Sequence, residues 1–267
     1  MNSIRFLSGM ISTVGVLVKR TFRKAAASPH IDTDDPVRRT VAMLHPPELN
    51  LVITDIVEHG ADAKTFRLAT IKGSGTGLPP FRAGQFLSIK ETIGGLHVSR
   101  PYSISSAPYE AGGNGNGFYE ITVRRLSDGF FSPCIFHAWK KGAHVSAAGP
   151  HGEFYHEPLR DTGDIVAIAG GSGITPFLSM AREIARNGMD ARLTILYGVR
   201  NMGEALFKEN LLSLAAQVPD RISICYVVSE PDGTEHVDNR EVINSLRVAC
   251  LSAKLSKEIV LGGGPGE

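Results

Sequence analysis

The chain has 267 residues, of which 42% are hydrophobic and 21% charged, and its formal net charge is +1. These proportions are typical of a globular protein with a substantial core, and they exclude a disordered chain, a collagen-like fibre and a protein with many membrane spans. The balanced charge gives no basic field that would hold nucleic acid against salt. Because Cys134, Cys225 and Cys250 form no C-x-x-C pair, the sequence also argues against a disulfide framework and a metal site.

Residues 1–48 are predicted to form an amphipathic helix and a linker. Apolar residues from Ile4 to Val18 recur at helical spacing and precede a basic cluster at 19–24, and no acidic residue comes before Asp32. The apolar stretch is shorter than the ~20 residues that a spanning helix needs. We therefore expect a cytoplasmic protein, with peripheral contact of residues 1–24 with an anionic membrane as one interpretation. A frayed or partner-packed helix and an organelle transit peptide are the alternatives.

Residues 49–158 are predicted to form a small antiparallel β-barrel domain. Short β-type runs are separated by turns rich in glycine, proline and asparagine, without a long helical pattern between them. The predicted strands are Leu49–Glu58, Lys64–Ile71, Gln85–Glu91, Phe118–Arg124 and Ala143–Ala148.

Residues 159–267 are predicted to form an α/β domain. Apolar runs typical of strands buried on both faces alternate with helical patterns, which indicates a parallel sheet with right-handed crossovers. A barrel followed by an α/β domain leaves a cleft between the two. The predicted strands are Ile165–Ala169, Leu193–Tyr197, Ile222–Val228 and Ile259–Leu261, and the predicted helices are Ile174–Arg186, Glu204–Gln217 and Arg240–Leu251.

The first motif with chemical potential is Arg100-Pro101-Tyr102-Ser103, which follows a β-type run. An arginine can clamp a phosphate, a tyrosine ring can lie against a planar ring system, and a serine hydroxyl can bond a ring nitrogen. Taken alone, the motif also fits an ordinary barrel strand.

The second motif is Gly129-Phe130-Phe131-Ser132, directly before a helical stretch. The glycine permits close backbone approach, and Ser132 is predicted to lie at or near the N-cap of the helix. Because the first N–H groups of a helix are free, this is an anion site. A plain capped helix without a ligand is the alternative.

The third motif, A-G-G-S-G-I-T-P, lies between a predicted buried strand and a predicted helix. Gly171, Ser172, Gly173 and Thr175 give a glycine turn with two hydroxyls at a helix N-terminus, which suits a diphosphate. The turn is not the Rossmann G-x-G-x-x-G, because Pro176 occupies the last glycine position, and it is not a Walker loop.

The order of these motifs resembles that of the ferredoxin–NADP reductase superfamily. From Leu49 to the end of the chain follow R-P-Y-S, G-F-F-S, G-P-H-G-E-F, A-G-G-S-G-I-T-P and L-Y-G-V-R. The resemblance implies a flavin-binding barrel domain and a pyridine-nucleotide domain. It also implies a flavoprotein oxidoreductase in which a hydride passes from NAD(P)H to FAD, which then releases single electrons to an acceptor such as an iron–sulfur protein.

The resemblance implies that the barrel motifs hold the flavin. Arg100 would contact its phosphate, Tyr102 would pack against the isoalloxazine, and Ser103 would bond near the reactive ring nitrogen and so act in catalysis. The run Gly129–Ser132 would hold the flavin pyrophosphate. We therefore expect FAD rather than FMN.

For the nucleotide, the resemblance implies that Gly171–Thr175 holds the pyrophosphate and that Arg200, in L-Y-G-V-R, lies on the ribose–phosphate side. We expect NADH rather than NADPH, because Ser229 is followed by Glu230, where NADP-binding relatives tend to have a basic residue that pairs with the 2′-phosphate. The carboxylate would instead accept a hydrogen bond from a free ribose hydroxyl. In the alternative, Glu230 faces solvent and discriminates nothing.

The sequence departs from the family pattern at Gly263-Gly264-Pro265, where relatives usually have C-G-P. The chain also stops inside this motif, so we expect a truncated copy of a longer reductase, with at least one more helix; a 2Fe-2S cluster would lie only in that missing extension. The expected partner is a ferredoxin-like electron acceptor. Two alternatives remain open, a flavin subunit that works only with a partner and a non-catalytic flavin-binding module.

Overall fold

The computed structural model describes residues 40–41, 46–71, 77–112, 116–228 and 259–262. Both β-sheets of the protein belong to one compact unit, Leu44–Glu267. The predicted N-terminal helix, the predicted helix Arg240–Leu251, the pair Ser229 and Glu230 and the predicted C-terminal motif fall outside the described residues. Within those residues, none of the helices is both long and apolar enough to cross a bilayer.

The first sheet curls into a barrel. Its six antiparallel strands are β1 (Leu49–His59), β2 (Ala63–Thr70), β3 (Phe86–Ile93), β4 (Leu96–Ser103), β5 (Phe118–Arg124) and β6 (His144–His151). They are ordered β4-β3-β6-β1-β2-β5. Ile104, directly after β4, bridges to Ile121 of β5, so the two outer strands meet. Their alternate side chains fill the barrel core, in which Phe66 and Tyr119 are fully buried.

Strand β4 was not among the strands predicted from the sequence. It pairs with β3 through a tight hairpin in which Gly94 and Gly95 both have positive φ. A Gly-Gly pair between two strand-like runs is a common signal for a two-residue hairpin, because both central residues of such a turn need positive φ. The motif Arg100–Ser103 therefore lies in a strand, at the outer side of a hairpin.

Two short helices complete the barrel half, α1 (Pro108–Ala111) and α2 (Phe131–Ala138). Helix α2 begins three residues earlier than the predicted helical stretch Cys134–Trp139. It packs Ile135 and Phe136 inward, and the Trp139 ring that follows it meets Phe66 edge-on, with ring centroids 5.0 Å apart.

The second sheet is parallel, as predicted. Its strands are β7 (Asp164–Gly170), β8 (Arg192–Val199), β9 (Ile222–Val228) and β10 (Ile259–Gly262), in the order β10-β7-β8-β9. Helices α3 (Thr175–Ala185) and α4 (Lys208–Gln217) connect the first three of these strands. The antiparallel barrel followed by a parallel α/β sheet confirms the predicted fold class.

Both helices of the second half start later than predicted, because a 3-10 turn precedes each of them. These turns are Gly171–Ile174 before α3 and Met202–Glu204 before α4. Phe207, which caps α4, has a left-handed backbone with φ of 60°, an uncommon conformation for a residue with a side chain. The core of this half lies between the sheet and α3, where Phe177 and Tyr197 are fully buried.

Candidate functional site

The first predicted motif lies on the outer strand of the barrel sheet. In the β3–β4 register Pro101 is opposite Ser88 and Tyr102 opposite Leu87. The Arg100 side chain is exposed, and its Nη1 donates to the Ser99 carbonyl. Tyr102 is half-buried, and this burial raises the pKa of its hydroxyl to about 12, although nearby Arg100 opposes the shift. Tyr102 therefore presents a neutral ring beside an exposed cation.

The structure brings the second motif to the first. The ring of Phe131, in the first turn of α2, stacks against Tyr102 with centroids 6.3 Å apart and an interplanar angle of 27°. Phe130, the N-cap residue of α2, is 55% exposed. The beginning of α2 and the edge strand β4 therefore form one continuous surface.

Ser132 lies near the N-cap of α2, as predicted, but its side chain does not cap the helix. Phe130 is the N-cap, and Ser132 is the second residue of the helix. Its hydroxyl accepts a hydrogen bond from Leu126 N–H at 3.0 Å, so it closes the preceding loop. Gly129 lies inside that loop, where a Cβ would come within 3.0 Å of the Leu126 Cβ. The first-turn N–H groups of α2, which lack partners within the helix, are then the groups of this motif that suit an anion.

The barrel residues fit a flavin nucleotide. An aromatic face at Tyr102, a cation at Arg100 and the N-terminus of an eight-residue helix lie along one edge. This donor set is the one that a planar ring with attached phosphates needs. Ser103 ends β4 and is half-buried, opposite Phe86.

The third motif forms the turn from β7 into α3. Gly171 has a positive φ of 49°, which a residue with a side chain adopts only at a cost. The Thr175 hydroxyl is buried and donates to the Ser172 carbonyl at 3.0 Å. The Thr175 hydroxyl therefore uses its proton to close the turn, whereas the sequence predicted that it would donate to a ligand.

Tyr197 supports this turn from beneath, a role that the sequence did not indicate. The tyrosine is fully buried on β8. Its hydroxyl donates to the Gly171 carbonyl at 2.9 Å and accepts from Leu206 N–H at 3.1 Å. Burial raises the pKa of the hydroxyl to about 12, so it remains a donor at neutral pH.

A cavity of about 400 Å³ opens at the carboxyl edge of the parallel sheet. Gly170 and Gly171 line it from β7, Gly198 lines it from β8, and Arg200 and Glu204 lie beyond β8. Ligands of open parallel sheets bind at this edge. Arg200 thus lines the cavity at this edge of the sheet, and its contact with the ribose–phosphate side of a nucleotide stays a prediction.

Arg124 is a second residue that the sequence analysis missed. It ends β5 of the barrel, yet it lines the cavity of the α/β half. A Cβ on Gly171 would lie 2.9 Å from Arg124 Nη1, while Arg124 Nε lies 3.2 Å from Asp62 Oδ2. The available signal was the pair Arg124-Arg125 at the end of a strand, separated from G-F-F-S by three residues. Arg124 and Arg200, which both line the cavity beside Gly171, fit a pyrophosphate.

This combination defines a class of protein, two-domain oxidoreductases that bind a flavin on a barrel and a nicotinamide nucleotide on an adjoining α/β sheet. Residues 50–156 match the family model described as the oxidoreductase FAD-binding domain. Residues 167–267 match the one described as the oxidoreductase NAD-binding domain.

Individual relatives agree with this class. The chain is 31% identical to NADH-cytochrome b5 reductase 1 of Candida glabrata over 222 residues, which are 82% of this chain and 74% of that protein. It is 34% identical to methane monooxygenase component C of Methylosinus trichosporium over 184 residues, 68% of this chain and 49% of that protein. The cytochrome b5 reductase domain of Ulva prolifera nitrate reductase has a similar fold, with a TM-score of 0.65 at 22% identity over 83% of this chain and 90% of that one.

The chain therefore belongs to the ferredoxin–NADP reductase superfamily, and the predicted resemblance is confirmed. It carries an FAD-binding and an NAD-binding domain. It spans about half the length of several of the curated relatives that it matches.

Proposed function

We propose that the chain is a flavoprotein oxidoreductase that moves electrons from NAD(P)H through FAD to a one-electron acceptor, such as an iron–sulfur protein or domain. When bound, FAD supplies the conversion of a two-electron hydride into single electrons. The names of the relatives support this proposal, because they include a cytochrome b5 reductase and a component of a monooxygenase.

The contact between Arg124 and Gly171 carries the proposal. Arg124 ends the strand that leads into the flavin motif, and its guanidinium lies against the glycine turn of the nucleotide motif. The two phosphate-binding segments are thus one side chain apart. Such proximity is what direct transfer between two bound ring systems requires. We propose the domain limits as 49–158 for the flavin domain and 159–267 for the nucleotide domain.

On the flavin side we propose that Arg100 pairs with a flavin phosphate and that Tyr102 packs against the ring system. Ser103, the last residue of the same strand, would bond near the reactive nitrogen, as the resemblance to the family implies. Pro101 keeps this strand extended, since its φ is fixed and it has no N–H to donate. The run Gly129–Ser132, including Phe130 and Phe131, would present backbone N–H groups to the pyrophosphate.

On the nucleotide side we propose that backbone groups of Gly171, Ser172 and Gly173 bind the pyrophosphate, with Thr175 holding the turn closed. Arg200 would neutralise the ribose–phosphate side, where it lines the cavity. The preference for NADH over NADPH rests on Ser229 and Glu230 in the sequence alone.

We propose an acidic, ferredoxin-like acceptor for the electrons. Arg125 is exposed on the barrel half, outside the residues proposed for the flavin, and the exposed Leu126 beside it gives this surface an apolar part. Cationic groups around an apolar patch complement an acidic carrier and accelerate its association. Peripheral membrane contact through residues 1–24 remains a separate proposal, based on the basic amphipathic sequence.

One spectroscopic experiment tests the proposed function. The full chain, purified and reconstituted with FAD, should be yellow, and anaerobic NADH should bleach the flavin absorbance. Heat release and chromatography should identify FAD; finding FMN alone would contradict the choice of flavin. Higher catalytic efficiency with NADPH than with NADH would contradict the nucleotide preference. Colour without bleaching would favour a partner-dependent subunit or a binding module, and a chain that binds no flavin would overturn the proposal.

A further inference from the structure

Helix α3 connects the nucleotide turn directly to the flavin strand. It begins at Thr175, where the glycine turn ends. One turn later, Ser179 Oγ donates to the Ser106 carbonyl at 2.6 Å. A further turn along, Arg182 Nη1 donates to the Ser105 carbonyl at 3.2 Å. Ser179 and Arg182, three residues apart, lie on the same face of the helix and hold two consecutive barrel residues.

The two barrel residues that α3 holds are continuous with the flavin motif. Ser105 and Ser106 follow Ser103 after a single residue, and both are fully buried. Ser105 N–H donates to the Glu120 carbonyl at 2.8 Å, and Glu120 N–H donates to Ser106 Oγ at 3.1 Å. Movement of α3 must therefore move the end of β4.

The Glu120 carboxylate is shared between the two halves of the molecule. Its Oε1 accepts from Arg67 Nη2 of the barrel at 2.8 Å, and its Oε2 accepts from Arg182 Nη1 of α3 at 2.9 Å. Glu110 adds a second carboxylate, 3.3 Å from Arg182 Nη1, while the same Glu110 oxygen accepts from Ala107 N–H. Arg182 thus meets two carboxylates and a carbonyl, all of them from the barrel.

Such a cluster fixes geometry more than it adds stability. Buried ion pairs lose in desolvation much of what they gain from charge attraction, but their directional hydrogen bonds admit few arrangements. Helix α3 therefore acts as a rigid spacer with the nucleotide turn at one end and the end of β4 fastened along its side.

We propose that Arg182 is a positioning residue which, together with Ser179, sets the alignment of the bound nicotinamide against the flavin ring. The inference rests on the proposed function, because alignment matters only if a hydride passes between the rings. Arg182 is not among the residues that line the cavity at Gly171, so it acts through α3 and through the carboxylate of Glu120.

Ser179→Ala and Arg182→Lys test this role in the full-length holoprotein. Ser179→Ala removes one of the two hydrogen bonds from α3 to the barrel. Arg182→Lys keeps the charge, but its ammonium group does not reproduce the position of Arg182 Nη1, which contacts Ser105, Glu110 and Glu120. The matched control is Arg192→Gln, which removes a bidentate ion pair with Asp164 that lies on the surface of the α/β half and does not involve the barrel.

The readout is anaerobic stopped-flow reduction of the flavin by NADH and by NADH deuterated at the transferred position. Because reacting atoms must approach within ~3–3.5 Å, a small misalignment should lower the limiting rate of reduction about tenfold in Ser179→Ala and in Arg182→Lys. The half-saturating NADH concentration and the flavin content should change little. The melting temperature should fall in both variants, because each removes a hydrogen-bond donor to a buried carbonyl of the barrel. The deuterium isotope effect should become more dependent on temperature. Arg192→Gln should behave as the wild type does.

Two results would overturn the inference. One is that both variants keep wild-type limiting rates and isotope effects, and the other is that only the half-saturating NADH concentration changes.

If the wild type binds FAD and is not reduced by NADH, the proposed function is contradicted, but the alignment can still be measured. Adding NAD⁺ should then shift the flavin absorbance less in Arg182→Lys than in Arg192→Gln, and equal shifts in the two variants would refute the inference.

Discussion

The two halves of the site are held in opposite ways. On the barrel half, Arg100 and Pro101 are exposed, and so is the Phe130 ring at the start of α2. On the α/β half, Thr175 is only 6% exposed, and Tyr197 is fully buried beneath the glycine turn. The flavin half thus offers groups that water solvates until a ligand binds, whereas the protein's own hydrogen bonds hold the nucleotide half.

Because of this difference, substitutions in the two halves should affect different quantities, ligand affinity in the barrel half and the unfolding free energy in the α/β half. A substitution on the barrel edge should weaken ligand binding and leave the unfolding free energy nearly unchanged, because exposed side chains contribute little to folding. A substitution beneath the nucleotide turn should lower the unfolding free energy, because it strands buried polar groups.

The largest expected effect is that of Arg100→Ala on flavin binding. Each charge-assisted hydrogen bond to a phosphate contributes about 1.5–3 kcal/mol, so the loss of one bond raises the flavin Kd by a factor of about 10 to 150. Titration of FAD into the apoprotein, followed by fluorescence, measures this. The melting temperature of the apoprotein should stay at the wild-type value. A lower melting temperature with unchanged flavin affinity would contradict this prediction, because it would show that Arg100 contributes to stability and not to flavin binding.

A pair of tyrosine variants tests the other half of the comparison. Tyr197→Phe removes the hydroxyl that donates to the Gly171 carbonyl and accepts from Leu206 N–H. It should lower the unfolding free energy by about 1–3 kcal/mol in urea titrations. The matched control is Tyr226→Phe on the neighbouring strand. Its buried hydroxyl has no hydrogen-bond partner among the described residues, so the loss of that hydroxyl should cost nothing. Equal destabilisation by both variants would show that hydrogen bonding is not what holds the turn.

Gly171→Ala should lower both the unfolding free energy and the affinity for NADH. The residue has a φ of 49°, and an added Cβ would lie 2.9 Å from Arg124 Nη1. The left-handed conformation alone costs roughly 1–2 kcal/mol for an alanine, and the displaced arginine should raise the KM for NADH. Steady-state kinetics with a fixed excess of ferricyanide measure that KM. Flavin content should be unchanged, and an equal loss of flavin would argue against a separate nucleotide site.

The smallest expected effect is a pH dependence from His59, where the two halves touch. Its ring meets Phe207 at 4.9 Å and bonds Thr65 Oγ1 at 2.8 Å. Burial lowers the pKa of His59 below 6.5, although Glu120 opposes the shift. The unfolded chain therefore takes up the proton first. The contribution of His59 to the unfolding free energy is therefore fully present above pH 6.5 and declines as the pH falls from there towards the lowered pKa.

His59→Gln isolates this contribution. Unfolding free energies of both proteins, measured between about pH 8 and about pH 5.5, should fall less steeply in the variant. Parallel curves would mean that His59 does not titrate differently in the folded and unfolded chains.

The sequence predicts the fold well where hydrophobic periodicity is strong. The predicted strand Ile222–Val228 coincides with β9, and β1 and β5 agree within one residue. Parallel strands buried on both faces give continuous apolar runs, which are easy to recognise. Strand β4 has no such pattern, because it carries exposed polar residues along an outer edge, and only the Gly94-Gly95 pair indicates it.

The site is predictable from sequence only where a local motif carries it. The turn at Gly171 and the arginine at Arg200 come from spacing along the chain. The contacts of Arg124 with the turn, and of Arg182 with Glu120, join residues far apart in sequence, and no local pattern indicates which charges will meet. The position of Ser132 depends on a loop closure with Leu126 that spacing cannot distinguish from capping.

The outer edge of β4 also bears on how the protein avoids self-association. An unpaired strand edge invites a strand from another molecule, and natural proteins counter this with proline and with charged side chains. Pro101 has no N–H to offer such a strand, and the neighbouring Arg100 would place its charge inside the new sheet. Arg100 and Pro101, which we propose for the flavin site, thus also protect this strand edge from pairing with another molecule.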